Sequence, residues 1–157
     1  MNIIDLKDED IVNYKKISMF IITCKCSFKC DKEFGTRICQ NSALAHEKPI
    51  DFSDEKIVTR YKNNPLTHAV VFGGLEPFDQ YDELLKLVTE FRKVTDDDIV
   101  IYTGYNEDEL DLEPFKQFQN IVIKFGRYKP NDTARFDELL GVKLASSNQY
   151  AKMISIE

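Results

Sequence analysis

The chain has 157 residues, 43% of them hydrophobic and 31% charged, with only 6 glycines and 5 prolines. That balance excludes collagen-like, low-complexity and intrinsically disordered classes, and the length suits one domain spanning residues 1–157. The formal net charge of −6 leaves no excess of Lys and Arg to neutralise phosphates, so nucleic acid is not an expected partner.

The first expected element is the buried strand Ile17–Thr23, rich in β-branched and aromatic residues. Its apolar run is far short of the ~20 residues that a membrane helix needs. Before it, Met1–Lys15 carries Asp5, Asp8, Glu9 and Asp10 where a secretory signal would carry positive charge. The expected setting is therefore the cytoplasm, with no membrane partner. Ser53 to Asn63 reads as a helix, with Ser53 as N-cap and Asp54 and Glu55 in the first turn. His68–Phe72 is a second apolar strand, ending at Gly73-Gly74. Tyr81 to Val94 is the clearest helix, with Leu84, Leu85, Val88 and Phe91 on one face.

Asp98–Tyr102 is a third strand, closed by Thr103-Gly104. Asn106 to Leu110 starts a helix that Pro114 interrupts or restarts. Asn120–Lys124 is a fourth strand, closed by Phe125-Gly126, and the tail from Leu144 to Ile156 supplies one more. Continuous apolar strands alternating with helices indicate a parallel sheet covered on both faces. In such sheets ligands bind beyond the carboxyl ends of the strands. The small-residue turns after three strands and the cysteines after Thr23 therefore share one rim.

All four cysteines lie between positions 24 and 39. In a reducing compartment such crowding points to metal binding or catalysis rather than to disulfides. Cys26 and Cys30 could pair with Cys39 and His46 around zinc. Alternatively, Cys26, Cys30 and Cys39 could hold three irons of a cubane cluster, with or without Cys24 as a fourth ligand. Either donor set suits a soft metal.

The wider order of motifs is more specific. Cys26-x3-Cys30 is followed by Ile38-Cys39-Gln40-Asn41, then Gly73-Gly74-Leu75-Glu76-Pro77, then Tyr102-Thr103-Gly104-Tyr105. Phe125-Gly126-Arg127-Tyr128 comes next, and Ala145-Ser146-Ser147-Asn148-Gln149 stands near the C-terminus. This succession resembles the radical S-adenosylmethionine family, and within it the activating proteins of anaerobic (class III) ribonucleoside-triphosphate reductases. It departs from the family's CxxxCxxC by six extra residues between Cys30 and Cys39, and from GGEP by Leu75 at the second glycine.

The resemblance implies an incomplete, open α/β barrel with a curved, mostly parallel sheet. It implies an oxidoreductase in which Cys26, Cys30 and Cys39 bind a [4Fe-4S] cluster whose fourth iron takes S-adenosylmethionine. Ile38 would pack on the adenine, Gly74 with Glu76 would line the methionine amino group, and Gly73 would belong to the same cofactor site. Gln40, Thr103, Ser147 and Asn148 would complete the cofactor site. The implied partners are the reductase, whose backbone glycine becomes a radical, and an electron donor such as flavodoxin or ferredoxin. A small radical enzyme with another target, and a zinc- or cluster-bearing interaction module without catalysis, are the alternative readings.

Overall fold

The computed structural model describes residues 1–155. Strands β1 (Asn2–Asp10) and β2 (Ser18–Thr23) open the chain, followed by the short helix α1 (Lys29–Phe34) and strand β3 (Ile50–Asp51). Three further units of helix and strand follow: α2 (Asp54–Lys62) with β4 (Ala69–Gly74), α3 (Tyr81–Arg92) with β5 (Asp98–Tyr102), and α4 (Glu113–Lys116) with β6 (Ile121–Phe125). The hairpin β7 (Arg135–Asp137) and β8 (Val142–Leu144) and the strand β9 (Tyr150–Met153) complete it. Of the expected tail strand, Ile156 lies outside the described residues.

Seven strands form one mixed sheet in the order β3-β1-β2-β4-β5-β6-β9. Its centre, β2-β4-β5-β6, is parallel, while β1, β3 and β9 pair antiparallel at the sides. The parallel strands advance in one direction across the sheet. Right-handed crossovers therefore place every connecting helix on the same face. There Ile57, Leu84, Leu87, Val88, Phe91 and Phe115 pack on Met19, Ile21, Val70, Phe72, Ile99, Ile101, Ile121 and Ile123.

The opposite face is covered by a hairpin instead of helices. Leu140 and Leu144, with Tyr14, close over Ala69, Val71, Val100 and Val122. Covered on both sides, β4, β5 and β6 have no solvent face, which is why they read as unbroken apolar runs. No helix among the described residues is long and apolar enough to cross a membrane.

The caps follow local chemistry. Ser53 Oγ accepts the Lys56 N–H at the start of α2, and Pro77 opens a 3-10 turn (Pro77–Gln80) that leads into α3. In α3 the buried set is Leu84, Leu87, Val88 and Phe91, the i, i+3, i+4, i+7 stripe, so Leu87 takes the place expected of Leu85. Asn106–Leu110 makes only a 3-10 turn, Glu107–Glu109, and α4 restarts at Glu113 just before Pro114.

Helix α1, strands β1 and β3 and the β7–β8 hairpin have no counterpart among the expected elements. In β1 the register slips between Ile3 and Asp5, so Ile3 and Leu6 are both buried three positions apart. That bulge erases the alternation by which a strand is read. The β7–β8 strands have three residues each, too few to show any period.

Phe91 is fully buried and meets Tyr61 and Phe72 edge to face, with ring centroids 5.5 and 6.5 Å apart. Phe91→Ala is expected to destabilise the chain by about 3–5 kcal/mol, read as a lower urea midpoint at unchanged slope.

Candidate metal centre

Parallel pairing puts the carboxyl ends of β2, β4, β5 and β6 on one rim, and the cysteine segment leaves from β2 onto it. Thr23 Oγ1 ties the end of β2 to the Gly73 carbonyl at 2.9 Å. Phe28 then turns the chain with φ 55°, and α1 carries Cys30. Gly35, at φ 84°, ends α1 and donates its N–H to the Asp31 carbonyl. The chain returns, and the N–H groups of Ile38 and Cys39 both donate to Asp31 Oδ1, at 2.8 and 2.9 Å.

Cys26 Sγ accepts the Phe28 N–H at 3.2 Å, and Cys30 shares a cavity wall with Tyr128. Cys39 lies near enough for its charge, when ionised, to bear on both the other thiols. Cys24 belongs elsewhere. Its thiol faces the Asn2 carbonyl at 3.5 Å and its N–H donates to Gln80 Oε1, beside β1 and the entry to α3.

Glu76 joins the turns around these thiols. Its N–H donates to the Lys25 carbonyl. Its carboxylate, buried, accepts from the Phe78 N–H (3.1 Å), Thr103 Oγ1 (2.8 Å) and the Gly104 N–H (2.8 Å). Gly104 comes so close to Cys30 that a Cβ there would stand 3.4 Å from the sulfur. Asp79 adds a second tie, accepting from the Ser27 N–H and from the Tyr105 hydroxyl.

A cavity of about 20 Å³ remains among Cys26, Cys30, Glu76, Gly104 and Tyr105. A larger one, about 430 Å³, opens on the other side of Cys30 between Phe34 and the segment Arg127–Asp132. The largest cavity, about 790 Å³, lies away from the cysteines, between the end of β1 and α2.

Burial pushes the Cys26 thiol up to about 12, against the Phe28 N–H, with Glu76 and Asp79 adding to the rise. Burial also raises Cys30, opposed by the Tyr128 N–H and by Lys124 and Arg127. Without a metal these groups are thiols, so ligation must displace their protons. Lys124 sits under the rim, buried, donating to the carbonyls of Thr103 (3.3 Å) and Gly126 (3.1 Å). Burial lowers its pKa to about 8, while Glu76 and Cys30 act the other way. Arg127 grips Glu109 through both terminal nitrogens and lies 2.9 Å from Glu33 of α1.

The remaining expected residues are distributed around this rim. Gln40 reaches the Tyr128 hydroxyl at 3.3 Å. At Gly73 a Cβ would press on Phe20, and at Gly74 (φ 89°) it would stand 2.5 Å from Ile22 Cγ2, so neither position admits a side chain. Thr103 is buried and receives the Tyr105 N–H while holding Glu76. Asn148 Nδ2 donates to the Arg127 carbonyl, and its buried Oδ1 has no partner. Ser147 turns outward to Asp132.

Asp31, Asp79, Glu109 and Lys124 escaped sequence reasoning, and Arg127 was seen only as part of the Phe125-Gly126-Arg127-Tyr128 motif, without a role. Only Lys124 carried a local signal, a charge inside an apolar strand.

Among the described residues no three His, Cys, Asp or Glu side chains close on a single metal ion. His46 lines a separate cavity on the outer side of the cysteine loop, with Phe28, Asp31 and Arg37. The zinc set Cys26, Cys30, Cys39 and His46 is thus not assembled, since zinc draws all its ligands to one centre at about 2.0–2.3 Å. A cubane takes its thiolates on different irons and asks for sulfurs placed around a cage. All four thiols are half-buried and unbridged, and with Cys24 turned to Asn2 and Gln80 the donors that remain for such a cage are Cys26, Cys30 and Cys39.

A family model described as "4Fe-4S single cluster domain" matches residues 15–149. The match covers most of the chain, which belongs to that family and is an iron–sulfur protein. No curated protein and no solved structure matches the chain.

Burial raises the Glu76 carboxyl to about 7, against its three hydrogen-bond donors. Between pH ~4.5 and ~7 the folded chain then holds a proton that the unfolded chain has lost, so this group's contribution to stability falls as pH rises through that window. Glu76→Gln removes the effect. On moving from pH 5 to pH 8, the metal-free parent is expected to lose more stability than the variant, by an amount on the order of 3 kcal/mol at most, measured by urea unfolding at both pH values.

Proposed function

We propose that this member of the 4Fe-4S single cluster domain family is a radical S-adenosylmethionine activase, whose substrate is the backbone glycine of an anaerobic, class III ribonucleotide reductase. The observation that carries the reading is the number of thiols at the rim. Cys24 is held against Asn2 and Gln80, so Cys26, Cys30 and Cys39 are the cysteines left for a cluster, and one iron is left for a ligand that is not cysteine. The succession of motifs along the chain supports the finer assignment.

A [4Fe-4S] cluster held by Cys26, Cys30 and Cys39 would supply the one-electron reduction that cleaves the sulfur–carbon bond of S-adenosylmethionine, and the hydrogen atom removed in consequence would come from the partner's glycine. The chain's own contribution is placement and exclusion of water. Gly73 and Gly74 keep side chains away from the end of β4, so that backbone meets the methionine amino group. Glu76 braces the adjoining wall through Thr103 and Gly104. Ile38, presented by the same loop as Cys39, would pack on the adenine, while Gln40 at Tyr128 and Asn148 at Arg127 would border the site and Ser147, turned to Asp132, would lie at its outer edge. Lys124, buried on the Thr103 and Gly126 carbonyls within electrostatic reach of Cys30, would offer positive charge to an anionic cluster held there, where low dielectric makes a charge count most. The electron comes from a small reduced carrier of the flavodoxin or ferredoxin kind.

Anaerobic reconstitution with iron and sulfide tests this reading. Cys26→Ala, Cys30→Ala and Cys39→Ala are each expected to abolish the cluster, whereas Cys24→Ala leaves iron content unchanged. The reduced, loaded parent should release 5′-deoxyadenosine from S-adenosylmethionine. Purification with stoichiometric zinc and no competence for a cluster would overturn the assignment.

A further inference from the structure

Eight residues separate Cys30 from Cys39, and a loop of that length does not by itself return the third sulfur to the first two. The segment ends its helix at Gly35 and is exposed from Lys32 to Arg37. It contributes no side chain to either core. Its return rests on one residue. Asp31 accepts the Gly35 N–H on its backbone oxygen, at 3.0 Å, and the N–H groups of Ile38 and Cys39 on Oδ1.

The remaining polar ties near Cys39 are the Ser42 N–H on the Cys39 carbonyl at 3.4 Å, Arg37 on Ser42 Oγ and Gln40 Nε2 on the Tyr128 hydroxyl at 3.3 Å, and none of them joins Cys39 to the helix that carries Cys30. We propose that Asp31 is the positioning residue of the third ligand. Because it directly follows Cys30, its carboxylate oxygen fixes the backbone of Cys39 relative to Cys30 and makes the exposed excursion between them irrelevant to where the sulfur stands. The side chain in effect closes the loop before the cluster arrives, so assembly does not have to meet that ordering cost. The inference rests on Cys39 being a cluster ligand.

Both N–H groups share one oxygen, and that decides the choice of variants. Asp31→Asn retains Oδ1 as acceptor and removes the charge; Asp31→Ala removes both. After anaerobic reconstitution, Asp31→Ala is expected to release iron to a chelator about 10- to 100-fold faster than the parent, the usual penalty for losing a residue that orients a ligand. Its reduced EPR spectrum should broaden. In the metal-free chain the Ile38 and Cys39 amides should lose protection from hydrogen exchange, while the urea midpoint stays that of the parent. Asp31→Asn should restore iron retention, spectrum and amide protection together.

Parent-like iron release in Asp31→Ala, or an Asp31→Asn variant as defective as Asp31→Ala, would overturn the proposal. The Asn variant alone decides the matter should the Ala variant fold poorly. Cys39→Ala, run in parallel, separates the two levels. A full cluster in Cys39→Ala removes the ligand assignment and this inference with it. Loss of the cluster there, with an unaffected Asp31→Ala, removes this inference alone.

Discussion

The buried carboxylate of Glu76 accepts hydrogen bonds from the turn after β5 and from its own 3-10 turn, while its backbone N–H binds the segment that leaves β2. Parallel strands bring their carboxyl ends to the same side of a sheet but do not fix the loops beyond them. Glu76 does so here by spanning two of the three loops and touching the third. Three donors offset part of the cost of burying a carboxylate, each worth more to a charged acceptor than to a neutral one, and burial still outweighs them. Gly104 can then lie against Cys30, and Asp79 can tie Ser27 to Tyr105. The cysteine segment thus rests on a wall set by the sheet, although it has no buried residue of its own in α1.

Charge is arranged around that wall in layers. Burial holds Cys26 and Cys30 protonated, Glu76 and Asp79 adding to the effect at Cys26, so iron must displace those thiol hydrogens on binding. Lys124 and Arg127 then lie on the side where negative charge accumulates. Arg127 also joins Glu109 to Glu33 of α1, and Lys29 reaches Glu109 from the same helix. The helix that carries Cys30 is thereby clamped to the exits of β5 and β6. Two of these partners are largely exposed, so the clamp contributes orientation more than stability.

The parallel centre of the sheet was legible because β2, β4, β5 and β6 are buried on both faces and must be apolar throughout. Helix α2 announced itself by the Ser53 cap and α3 by its stripe, save the exchange of Leu85 for Leu87. Strand β1 was hidden by its bulge and acidic residues, and the covering hairpin by its brevity. The cysteines and the glycine turns of the rim were legible because chemistry forces residue types there. The residues that hold them were not. Glu76 to Thr103, Asp79 to Tyr105 and Arg127 to Glu109 are contacts between segments 18 to 27 positions apart, and nothing in local periodicity encodes which acid meets which donor. Asp31 is local, yet an aspartate after a cysteine is indistinguishable from a solvated loop residue until the loop is seen to fold back on it.

The central claim is that three sulfurs of one rim hold a cubane with one iron left for a ligand that is not cysteine. Mössbauer spectroscopy of the protein reconstituted with iron-57, taken with and without S-adenosylmethionine, tests it most directly. The account predicts that one iron in four changes its isomer shift and quadrupole splitting when the cofactor is added, while the other three keep theirs. Four irons that stay equivalent and indifferent to the cofactor would contradict it.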